Sequence, residues 1–128
     1  MPANRKKGNS VPRLAKSSKI LKAIIHAIHE KKGEDVVSLD LRKVTEAVAD
    51  FFIICEASNT VQVRAIADEV EHHVKLAVGE LPYKHEGRQA GTWALIDYVN
   101  VVVHVMHKET RKFYRLEEMW SDAVREEL

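Results

Sequence analysis

The stretch TWALIDYVNVVVHVMH, residues 92–107, is almost wholly aliphatic, yet it carries a tryptophan, an aspartate and two histidines. It divides into two strands, Thr92–Asp97 and Val101–Met106, about a short turn at Tyr98–Asn100. A two-residue turn pairs either Asp97 with Asn100 or Tyr98 with Val101, and both registers sort the side chains alike, because strand residues alternate between faces. Ala94, Ile96, Val101, Val103 and Val105 fall on one side, which is the natural floor for packed helices. Trp93, Leu95, Asp97, Val102, His104 and Met106 fall on the other, which is apolar but has polar handles. Two readings of this second face stand side by side. It is an open, half-wet surface for a protein partner, or another helix covers it.

The flanking sequence supplies the rest of a sheet and its helices. Ile20, Ile24 and Ile28 recur every fourth residue beside Leu21 and Ile25, after Ser17 or Ser18 as a cap and before Gly33 as a stop. They predict a helix to about Lys32. Residues 35–41, DVVSLDL, alternate as a half-buried strand with Val37, Leu39 and Leu41 on one side. The continuously apolar run Phe51–Cys55 predicts an interior strand covered on both faces. Ser58, Asn59 and Thr60 offer cap oxygens to a helix whose stripe is Val63, Ile66, Ala67, Val70, Val74 and Ala77, and Gly79 ends it. Strand, helix and return strand form a crossover of the right-handed kind. A last helix is expected from about Thr110, with Phe113, Leu116, Met119 or Trp120, and Ala123 on one face. The fold class expected is α/β, a small mixed β-sheet with packed helices.

The chain has 128 residues, 45% of them hydrophobic and 30% charged, which suits one domain with a modest core. The net charge of +1 hides an asymmetry. Residues 1–16 hold five basic side chains and no acid, and the remainder holds 15 basic and 19 acidic. The first 16 residues are expected to be a disordered basic tail, and residues 17–128 the single domain. A body with an acidic excess is poorly suited to gripping phosphates and better suited to a basic protein partner. The tail offers at most a weak, non-specific contact to RNA. No apolar run reaches the length of a membrane span, and the location expected is cytoplasmic.

Chemistry is hard to find. The seven histidines come with no HExxH or CxxC spacing, so no metal site is expected. Cys55 sits within an apolar run, where a thiol is packing. No GxSxG, GxGxxG or GxxxxGK pattern occurs, and the aspartates near strand ends (Asp35, Asp40, Asp50 and Asp97) make no D-x-D pair. Asp50 and Asp97 are read as terminating or capping residues. No cofactor is expected, and neither is catalysis.

Several segments together resemble the Iojap-like family, the ribosomal silencing factors: DFFIICEAS, QVRAIAD, HEG before WALIDY, VVVHVM and RKFYRLEEMW. They run in the family's order from about Ile20 to Trp120. The resemblance implies a fold similar to nucleotidyltransferases, here without their catalytic motifs, and a non-enzymatic role. It implies binding to the large ribosomal subunit through that subunit's ribosomal protein fourteen, and a steric block of subunit joining that lowers translation under nutrient limitation. It also implies homodimers of the free protein. The chain departs from the family at Ala57 and Val99, where glycine is usual, and at Val61, where arginine is common. On this basis Trp93, Leu95, Asp97, His104 and Met106 are the expected contact face. Tyr114, Glu117 and Trp120 are further candidates that could instead orient the last helix. The alternatives are a nucleotidyltransferase-like nucleotide-binding enzyme, which rests on fold analogy alone, and a homodimeric structural module.

Overall fold

The structure is a computed structural model and describes residues 14–128. The basic tail expected over residues 1–16 lies, up to residue 13, outside the described residues. The body begins earlier than Ser17, because Leu14 already packs against the core and its N–H donates to Asp50 Oδ2 at 2.8 Å.

The elements are α1 (Lys19–Glu30), β1 (Glu34–Asp40), β2 (Phe51–Ala57), α2 (Thr60–Val78), β3 (Lys84–Glu86), β4 (Trp93–Asp97), β5 (Val101–His107), α3 (Lys108–Tyr114), α4 (Leu116–Met119) and β6 (Val124–Glu127). They build a mixed α/β fold on one six-stranded sheet of order β3-β4-β5-β2-β1-β6. β2 and β5 pair in parallel at its centre, and the other pairings are antiparallel. Parallel neighbours need a long crossover, which runs through α2, β3 and β4.

Local chemistry sets the helix ends. Ser18 caps α1 by accepting from Leu21 N–H, and Asn59 caps α2 by accepting from Gln62 N–H at 2.8 Å. Gly79 closes α2 at φ +74°, where glycine carries no Cβ penalty. The expected stripe of α2 is buried except for Ala77, which is exposed in the last turn.

Both faces of the sheet are covered. α1 and α2 lie on one, against Ala94, Ile96, Val101, Val103 and Val105, the floor read from strand parity. The other carries Val37, Leu39, Phe52, Ile54, Val102 and Met106 beneath Leu41, Val44, Ala47, Ala49 and Leu116. This corrects three expectations. β1 is not half-buried, since Ser38 is as enclosed as its apolar neighbours. The second hairpin face is not open, because the irregular 41–49 segment and the C-terminal segment lie over it. The last helix is two short ones, broken at Arg115, whose φ of +50° stops the first. Phe113 and Met119 therefore point to solvent instead of lining a core face.

The hairpin takes the Tyr98–Val101 register, with Asp97 opposite Val102. Its turn is strained. Asn100 N–H donates to Tyr98 carbonyl at 2.9 Å around Val99, whose φ is +75°. That is a γ-turn of the positive-φ kind, rare even for unbranched residues. Asp97 Oδ1 accepts from Val99 N–H at 2.8 Å and supports it, which gives Asp97 the capping role expected. Asn100 carbonyl in turn accepts from the N–H groups of Asp50 and Phe51, tying the turn to the start of β2.

A left-handed residue with a Cβ costs roughly 1–2 kcal/mol, and glycine returns roughly 0.5–1 kcal/mol of that in chain entropy. Val99→Gly should therefore raise unfolding stability by about 0.5–1 kcal/mol in urea titration. A lower midpoint would show that the valine side chain contributes more by packing than its backbone loses.

Candidate functional site

The second face of the β4–β5 hairpin places three cross-strand pairs side by side: Trp93 with Met106, Leu95 with His104, and Asp97 with Val102. Only Trp93 and Leu95 reach solvent. Trp93 and Leu95 are half-buried, while Asp97, His104 and Met106 are buried. The expected contact face is thus split into a reachable rim and a hidden base.

The base is built around His104. Trp93 Nε1–H donates to His104 Nδ1 at 3.1 Å. That bond requires Nδ1 to be the acceptor, so the neutral ring carries its proton on Nε2. His104 Nε2 has no hydrogen-bond partner among the described residues. Burial pushes the His104 pKa down to about 4. The imidazole is a packing and positioning group here, neutral at physiological pH.

Aromatic contacts run from this base to the surface. Phe52 meets His104 edge-on at 4.7 Å and Trp120 at 5.8 Å. Trp93 lies 5.1 Å from Tyr114, which lies 5.0 Å from Phe113. These separations suit edge-to-face and tilted ring pairs. At the outer end Phe113 is 77% exposed, Tyr114 53% and Met119 73%. Half-buried Trp93, Leu95 and Trp120 adjoin them. Phe113 and Met119 were assigned to the core from helical spacing. The left-handed break at Arg115 is what turns them outward.

Arg111 holds α3 in place. Its guanidinium is nearly buried and donates to Asp35 carbonyl at 2.7 Å, Glu56 Oε1 at 3.2 Å and Glu117 Oε2 at 2.6 Å. Burial raises the Glu56 pKa. For Glu117 burial is the largest single influence and acts upward, but the Arg111 hydrogen bond, the charges of Arg111 and Arg125 and a backbone hydrogen bond together outweigh it, and the net shift is downward. Glu117 on α4 is thereby tied to α3 through Arg111.

The HEG turn ties the far edge of the sheet to α2 and closes against β4. His85 Nδ1 lies 2.7 Å from Glu71 Oε2, and Arg88 reaches Glu71 and Asp68 at 3.1 and 2.9 Å. Gly87 sits at φ +78°, where a Cβ would lie 2.0 Å from Trp93 carbonyl. Only glycine lets this turn close against the strand that carries Trp93.

Nothing in this arrangement resembles a reaction centre. Burial pushes the Cys55 thiol up to about 12, so it stays protonated. Among the described residues no three His, Cys, Asp or Glu side chains converge as metal ligands, and no helix is long and apolar enough to cross a membrane. What remains is a rigid, apolar, ring-built surface.

Comparison with known proteins gives that surface a context. The family model for the ribosomal silencing factor during starvation matches residues 14–128. The chain belongs to the ribosomal silencing factor family. It is 38% identical over 112 residues to the ribosomal silencing factor RsfS of Halalkalibacterium halodurans, covering 88% of this chain and 94% of that one. It is 40% identical over 104 residues to RsfS of Bacillus subtilis, with 81% and 86% covered. Among solved structures it is similar to a Chromobacterium violaceum protein at a TM-score of 0.75 and 34% identity, with 80% and 83% covered. This silencing-factor family is regulatory and non-enzymatic, and its members associate with the ribosome.

Two outcomes follow from this geometry. Arg111→Met leaves Glu56 and Glu117 without their shared cation and should cost about 3 kcal/mol in chemical denaturation; a loss under 1 kcal/mol would mean the carboxylates relax into solvent. His104 binds its proton less well folded than unfolded, so the unfolded state takes up protons first as pH falls. Its contribution is complete above about pH 6.5 and is lost progressively towards pH 4, amounting to about 2–3 kcal/mol by pH 4.5. His104→Phe should remove that part of the difference between urea titrations at pH 7 and 4.5. An unchanged pH dependence would contradict the assignment.

Proposed function

We propose that this silencing factor represses translation under nutrient limitation by seating its aromatic patch on the large ribosomal subunit and excluding the small one by bulk. The observation that carries the reading is the unbroken chain of rings from buried His104 and Phe52 to exposed Tyr114 and Phe113. Interfaces draw most of their affinity from a few aromatic anchors already fixed in place, because little side-chain freedom is then lost on binding. Trp93, Leu95, Tyr114 and Trp120 act as direct contacts, with Phe113 and Met119 added from the structure. Asp97, His104, Met106 and Glu117 shape the patch from beneath.

The partner proposed is ribosomal protein fourteen of the large subunit. Charge supports a basic partner, because residues 33–128 hold 18 acidic and 11 basic side chains. The missing reaction chemistry fits a factor that works by occupancy in the cytoplasm. The free protein can use the same patch to pair with itself, in which case dimer and subunit binding compete.

Sedimentation of the purified protein with separated subunits tests the proposal. Co-sedimentation is expected with large subunits and not with small ones. Phe113→Asp alters a side chain that is 77% exposed, so folding is preserved, and it should weaken large-subunit binding at least tenfold. Trp93→Ala removes a central anchor and should cost about 2 kcal/mol or more. Full co-sedimentation of both folded variants would overturn the site, and equal binding to small subunits would overturn the function.

A further inference from the structure

The solvent face of α1 has no role in the patch, which lies across the sheet from it, and its charge is unlike the rest of the body. Residues 16–32 hold five lysines and one glutamate, a net +4, while residues 33–128 carry a net −7. Lys19, Lys22, His26 and His29 follow one another at helical spacings of three and four, all exposed, and exposed Lys31 and Lys32 continue past the helix end. Neighbours on such a row stand roughly 5–6 Å apart, and Lys19 to His29 spans about 15 Å.

Few acids answer this charge. Among the described residues no carboxylate pairs with Lys19, Lys22, Lys31 or Lys32. Lys16 pairs with Glu126 at 3.1 Å, and His26 lies 3.6 Å from Glu30. On neighbouring α2, Asp68 and Glu71 are drawn towards Arg88 and His85 instead, and His73 stacks on His26 at 4.7 Å. Local helix stability does not account for the pattern. The positive end of the helix dipole favours Asp or Glu in the first turn, yet that turn holds no acid and Lys19 and Lys22 stand there. Lys31 and Lys32 do have a local role at the negative end, so Lys19 and Lys22 carry the argument.

We infer that the outward face of α1 is a second contact surface, one that takes the phosphate backbone of double-helical RNA. Lys19 and Lys22 present flexible ammonium groups at the start of the row, ahead of the exposed imidazoles of His26 and His29, and such a surface reads charge before base sequence. An anionic lipid surface is the rival polyanion. It calls for large apolar side chains on the same face as the cations, whereas Ile20, Leu21, Ile24 and Ile28 are all buried against the sheet and only Ile25 is partly exposed. Identifying the RNA as ribosomal rests on the proposed silencing role; the affinity for duplex RNA does not.

The test is fluorescence anisotropy of a labelled 20-base-pair RNA duplex with the full chain, over a salt series, beside flotation with phosphatidylserine vesicles. The wild type should bind the duplex with a dissociation constant on the order of 10⁻⁴–10⁻⁶ M. Replacing Lys19→Gln and Lys22→Gln together should weaken binding at least tenfold and flatten the log–log salt slope by roughly one unit per lysine. Phe113→Asp should leave it unchanged. The residues before Leu14 are the same in every variant, so their cations cancel. If the double variant loses helix by circular dichroism, each single substitution should show about half the change in slope. Unchanged affinity and slope would overturn the inference, as would vesicle binding that depends on the same lysines while the duplex does not bind. A wild-type chain that binds large subunits but not the duplex would also overturn it and leave the silencing role standing. The reverse pattern would remove the silencing role and leave this surface.

Discussion

The parallel pairing of β2 with β5 is the constraint that the rest of the molecule answers. Seven residues of each strand are in register, from Phe51 opposite Val101 to Ala57 opposite His107. Nearly all are apolar and enclosed, so neither face of this pair can be left to water. One face is closed by two amphipathic helices, the economical cover for a flat apolar surface. The other is closed by whatever chain is left, an irregular 41–49 segment and two short helices after β5. That cover is incomplete, and the reachable edges of Trp93, Leu95 and Trp120 are what it leaves exposed.

The incomplete cover is also rigid, and rigidity bears on binding more than exposure does. Short helices of seven and four residues do not hold themselves in water. They are pinned by Arg111, whose guanidinium joins the bulged start of β1, the end of β2 and α4. Breaking such a cluster costs more than forming it gains, so its use lies in fixing orientation. With α3 fixed, Tyr114 and Trp93 are in place before any partner arrives. The HEG turn does the same on the other side through Gly87, which lets the chain close against Trp93.

Strand parity carried the sequence reading furthest. The side-chain period is two, and both candidate turn registers give the same faces, so the partition of the hairpin held without knowledge of the turn. Whether a face is covered is a different matter. Parity says what shares a side, not what lies above it. The 41–49 segment has no period to announce itself as a lid, and α3 and α4 part at an arginine in the left-handed region, with no glycine or proline to signal the break. β6 was missed because its four residues are all exposed, leaving no alternation to see. β3 was missed for the same reason. His104, Met106 and Asp97 were therefore grouped correctly and exposed wrongly, while Phe113 was treated as core because a helical period was extended across a break.

The distribution of charge along the chain then takes on a spatial meaning. The fold sets α1, with its lysines turned to solvent, on one side of the sheet and the aromatic patch on the other. Such a molecule has no need of a strong site on either side. Two weak contacts made at once by a rigid body reinforce each other, because the second forms at the high effective concentration set by the first. Their geometry also restricts where the body fits, since both surfaces must be met across the thickness of one sheet and its two covers, and sheet and cover stand about 10 Å apart layer to layer. For a factor proposed to act by standing in the way, that selectivity of place is the function, and it can be reached with lysines, rings and a well-packed centre without any catalytic group.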